Sequence, residues 1–80
     1  MTPATHIRTL PTDWTAAQDW ALWSGLGMGY GIIAISYAVG KPPADVGARF
    51  HAITDPFKVN GMVPEDMQAA IERVLRGRLN

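Results

Sequence analysis

The side chains capable of chemistry are few, and their spacing does not suit catalysis. Ser24 and Ser36 have no histidine or lysine at an identifiable motif distance to activate a hydroxyl. Glu65 and Asp66 are adjacent, and neighbours on a helix do not face each other; as acids of a first turn they complement the helix dipole instead. His6 and His51 are the only histidines and cysteine is absent, so a metal site lacks ligands and a disulfide framework is excluded. The glycines at 25, 27, 29 and 31 lack the preceding strand and the Lys-Ser/Thr ending of a phosphate loop. No catalytic residue, metal ligand, cofactor or small-molecule substrate is therefore assigned. The chain reads as a non-enzymatic binding protein.

Binding to nucleic acid needs cations, and here they are balanced. Seven basic and seven acidic side chains give a formal net charge of zero, whereas nonspecific affinity for DNA comes largely from an excess of Lys and Arg. The phosphate candidates are Lys41, Arg49, His51 and Lys58. Arg49 has a structural reading beside the functional one, a salt bridge to an acid on the first helix such as Asp19. The aromatic residues Trp14, Trp20, Trp23, Tyr30, Phe50 and Phe57 read as core, because a small domain needs bulky side chains to bury enough area.

The elements that position these residues are helices. Eighty residues suffice for one domain, and hydrophobic residues at 48% against 18% charged exclude a disordered tail. Two prolines before residue 12 mark an irregular arm with no signal-peptide pattern. A first helix begins near Trp14: Thr15 and Gln18 have capping-box spacing, and Leu22, Trp23 and Leu26 continue an apolar stripe. It should fail among the glycines from Gly25 to Gly31. A second helix over Gly31 to Val39 places Ile32, Ile35 and Val39 on one face and Ile33 and Tyr37 on the next. It is apolar nearly all round and is expected at the centre, with Gly40 as its stop. A third helix runs from Pro43 to Ile53, with Val46, Phe50 and Ile53 inward, and Asp55-Pro56 should end it. Phe57 to Val63 would then form a connection. The last helix starts at Pro64, carries Glu65 and Asp66 at its positive end and Arg73, Arg76 and Arg78 towards the other, and buries Met67, Ile71, Val74 and Leu75.

A rival organisation is a single membrane span. Trp20 to Gly40 carries no formal charge and is long enough to cross a bilayer. Glycine and serine dilute the segment, and no Lys/Arg cluster flanks it to set orientation. A cytoplasmic protein is the favoured expectation.

Trp14-Thr15, Asp19 and Leu22, then Ile35-Ser36-Tyr37-Ala38-Val39-Gly40-Lys41, then Val46, Arg49-Phe50 and Ile53 together resemble the Myb/SANT class. The resemblance covers about half the chain, Trp14 to Ile53; Ser36, Val39 and Phe50 stand where that class usually has alanine, leucine and tryptophan. It implies an all-α fold, and with the elements read above this gives an irregular arm over residues 1–11 and one helical domain over 12–80. A helix-turn-helix core would occupy 12–55 and an additional C-terminal helix 62–79. It also implies a transcription-associated regulator whose third helix enters the DNA major groove. The outward positions expected on that helix, Ala44, Asp45, Gly47, Ala48, His51 and Thr54, hold no Arg, Lys, Asn or Gln to read base edges. Ala44, Gly47 and Ala48 suit close approach by a protein instead, so DNA and a protein partner both stand as candidates.

Overall fold

The computed structural model describes residues 13–59 and 61–79, and the expected arm over residues 1–11 lies outside them. The described residues form an all-α fold of four helices: α1 (Ala16–Gly27), α2 (Ile32–Val39), α3 (Pro43–Val59) and α4 (Pro64–Leu79). Thr15 caps α1 as its spacing predicts. Its hydroxyl accepts from the Gln18 amide at 3.0 Å, and the Gln18 carbonyl Oε1 accepts from the Thr15 amide at 2.8 Å. Two amides at the helix start are thereby satisfied.

Helix α1 touches all three other helices, while α2 and α4 do not touch each other. The core follows from that arrangement: Leu22 on α1, Ile35 and Val39 on α2, Val46 and Ile53 on α3, Ile71 and Leu75 on α4, and Trp14 ahead of α1. The uncharged stretch is broken between α1 and α2 by Gly29 at φ +93°, and no helix among the described residues is long and apolar enough to cross a membrane.

A short turn joins α2 to α3. Gly40 stops α2 in the left-handed conformation at φ +72°, where a Cβ would be strained, and its amide donates to the Ser36 carbonyl at 2.9 Å. Gln18 Nε2 donates to the Val39 carbonyl at 2.8 Å, so an α1 side chain satisfies the last carbonyl of α2. Two helices are thus joined by a short turn, as expected between the second and third elements.

Three expectations about the elements are corrected. Helix α3 does not end at Asp55-Pro56: it continues to Val59 with Pro56 inside it. Proline there removes one amide donor, but Phe57 packs against the core and holds the final turn in place. Val74 is half exposed rather than part of the buried stripe of α4. Helix α2 is not central. Ile35 and Val39 are buried, but Tyr37 is 85% exposed, Ile33 59% and Ile32 42%. With α4 packed on α1 and α3 and making no contact with α2, no element among the described residues covers the outer face of α2.

Candidate functional site

The cations assigned from sequence are mostly engaged within the fold. Arg49 is buried, and its Nε and Nη2 donate to the two oxygens of Asp19 at 2.6 and 2.7 Å. Arg78 of α4 donates to the same carboxylate. Asp19 is fully buried and joins α1, α3 and α4 through a two-pronged ion pair on one side and a second guanidinium on the other. The salt-bridge reading of Arg49 is the observed one, and a guanidinium so placed presents nothing to a phosphate. Lys41 Nζ donates to the Asp13 carbonyl at 2.7 Å. Lys41 and Arg49 both lie against the Trp14 ring, at 5.8 and 5.6 Å from its centroid, a favourable position for cations.

The outer face of α3 keeps only modest resources. Ala44 and Ala48 are exposed and Gly47 is partly so; a Cβ at Gly47 would meet nothing within 4 Å. His51 is exposed, its Nδ1 3.9 Å from Asp55, and Lys58 Nζ is 3.7 Å from the same carboxylate. Asp45 is also exposed at the start of α3. Two carboxylates on this face oppose approach of a phosphate backbone. Thr54, expected to face outward, is instead buried, its hydroxyl donating back to the Phe50 carbonyl at 3.0 Å. Lys41, Ala44, Gly47, Ala48, His51 and Lys58 lie on or beside α3 as expected, but they form no converging group.

A cleft of about 460 Å³ lies between α1 and α4, with Trp20, Trp23, Phe50, Glu72 and Arg76 among its lining. Its polar groups are largely used internally. The Arg76 guanidinium lies 5.2 Å from the Trp20 ring centroid, Trp23 Nε1 donates to Glu72 at 3.4 Å, and Trp23 stacks with Phe50. Among the described residues there is no group of three acidic, histidine or cysteine side chains able to hold a metal.

The surface with most unspent binding potential is the outer side of α2 and the turn before it. Met28 is 70% exposed and Tyr30 57%, joining Ile32, Ile33 and Tyr37 on a face without a formal charge. Beside them runs a groove of about 300 Å³ between α1 and α2, lined by Ala21, Ser24, Gly25, Met28, Tyr30, Ala34, Ile35 and Ala38. Gly25 lets the helices approach: a Cβ there would stand 3.3 Å from Ile35 Cγ1. Sequence reasoning assigned Tyr30, Ile33 and Tyr37 to the interior and so missed this surface. The available signal was an eight-residue helix apolar all round, which cannot bury every side in so small a domain. Set against known proteins, the chain matches no family model, no curated protein and no solved structure.

Proposed function

We propose that this chain is a non-enzymatic protein-interaction module whose working surface is the apolar face of α2 with the α1–α2 groove. The observation that carries this reading is the exposure of Met28, Tyr30, Ile33 and Tyr37 around a groove with an apolar floor. The largest contiguous apolar patch on a small protein is often a functional contact site. Tyrosine and methionine are also among the residues enriched in the cores of protein interfaces. The surface differs from the small-residue α3 face suggested by sequence, although both belong to the same class of function.

A second reading, a DNA-binding, transcription-associated regulator of Myb/SANT type, draws support from the α2–turn–α3 geometry and the open outer side of α3. Site-specific photocrosslinking in the producing cells separates the two. A benzophenone side chain at Tyr37 should give protein adducts and one at His51 few. DNA adducts at His51, with none to protein at Tyr37, would replace the first reading by the second. Amide NMR titration with duplex DNA at low and physiological salt gives an independent check, because phosphate contacts weaken steeply with salt.

A further inference from the structure

We infer that the occupant of the α2 face is a second copy of this chain, paired about a two-fold axis so that Tyr37 of each copy enters the α1–α2 groove of the other. This inference rests on the protein-interaction reading and names the partner.

The first argument is shape. A two-fold contact joins one patch to itself, so the patch must contain both a projection and the recess that receives it. Helical spacing places Ile33 and Tyr37 opposite the buried Ile35 and Val39, and puts Ala34 and Ala38 between those two sides. Ala34 and Ala38 are also groove residues, together with Gly25, Met28, Tyr30 and Ile35. Projection and recess therefore stand side by side on one short helix. Two α2 helices crossing at Ala34 would carry each Tyr37 over the opposite groove, and the alanines keep the crossing close.

The second argument is charge. Self-pairing is opposed wherever it brings identical charges together. From Trp20 to Gly40 there is no formal charge; of the two flanking charges, Asp19 is buried and Lys41 is bonded to the Asp13 carbonyl. A charged partner would find no counterpart here, whereas a second copy meets no repulsion.

The third argument is area. At about 150–250 Å² per aromatic side chain, the exposed fractions of Tyr30 and Tyr37, with Met28, Ile32 and Ile33, give on the order of 500 Å² of apolar surface per copy. A standard interface buries about 800 Å² per partner. The intervening small residues bring the face towards that figure, in the range of a weak, concentration-dependent dimer.

The test is sedimentation equilibrium of the purified full chain over a wide concentration range, with circular dichroism confirming that each variant is folded. Wild type should pass from monomer to dimer. Tyr37→Ser should weaken association on the order of thirtyfold, the scale of a central anchor residue. Ala34→Leu is the sharper variant: it makes the surface more apolar while filling the groove, so the pairing described here predicts a weaker dimer and a merely sticky patch predicts a stronger one. Mixing the two variants should restore a heterodimer of intermediate affinity, since the intact groove of the Tyr37→Ser chain accepts the intact tyrosine of the Ala34→Leu chain. A wild-type chain monomeric at every concentration would overturn the second-copy inference; protein adducts at Tyr37 in cells would then show that the interaction reading survives with a different partner. A dimer unmoved by both variants, or strengthened by Ala34→Leu, would overturn the pairing.

Discussion

Charge at the centre of the molecule and hydrocarbon on one of its sides reverse the usual arrangement, and the two regions do so for different reasons. Asp19, Arg49 and Arg78 place one carboxylate and two guanidiniums where α1, α3 and α4 meet, and no buried side-chain polar atom among the described residues lacks a partner. The α2 face leaves Met28, Tyr30, Ile33 and Tyr37 in solvent. The ion cluster is saturated by its own chain, whereas the apolar face carries side chains left exposed among the described residues. A buried charge pair is weak support for net stability but costly to break from one side. The contrast teaches that the first region ties α1, α3 and α4 together, while the second is where the proposed association would act.

Breaking the cluster should have the largest effect. Asp19→Ala leaves Arg49 charged and buried without its carboxylate, at a cost of about 3–5 kcal/mol, a large share of the stability of a small domain. Urea unfolding should show a much lower midpoint. The double change Asp19→Leu with Arg49→Met should recover much of the loss, because it removes the two fully buried charges together and leaves the partly exposed Arg78 to turn to solvent. A single variant as stable as wild type would mean that the cluster is not the keystone described here.

An intermediate effect is expected at the turn between the regions. Gly40→Ala forces a Cβ into the left-handed conformation at φ +72° and should cost about 1–2 kcal/mol, read as a lower melting temperature. The smallest effect is expected on the apolar face itself. Ile33→Ser combined with Tyr37→Ser should change unfolding free energy by no more than about 0.5 kcal/mol. A large loss of stability in that variant would show these side chains to be part of the core.

Much of this fold was legible because it is written locally. The Thr15–Gln18 capping box needs only residues three apart, and Gly40 announces the end of α2 by its type. Asp19 with Arg49 was legible as a structural pair although thirty positions separate them, because ion pairs between helices are common and Asp19 is an acid on the first helix. What stayed hidden depends on nonlocal packing. Pro56 argues for a helix end, and only the seating of Phe57 on the core carries α3 past it. The outer side of α2 has the composition of a core helix, and its exposure follows from α4 settling elsewhere, which no pattern within α2 can report. The sequence pointed to the small residues Ala44, Gly47 and Ala48 of α3, whereas the exposed apolar side chains lie on α2 and the turn before it.

The brevity of α2 adds a consequence for dynamics. Eight residues span about 12 Å, less than an isolated helix needs to persist in water. Its order is borrowed: from Gly31 and Gly40 at its ends, from Gln18 reaching the Val39 carbonyl, and from one buried side. Local opening of such a segment requires less free energy than global unfolding, so the amides of α2 are expected to exchange with solvent ahead of those beneath Leu22 and Ile71. Covering its outer face would bury hydrocarbon and also lend the helix the rigidity that its own length does not provide.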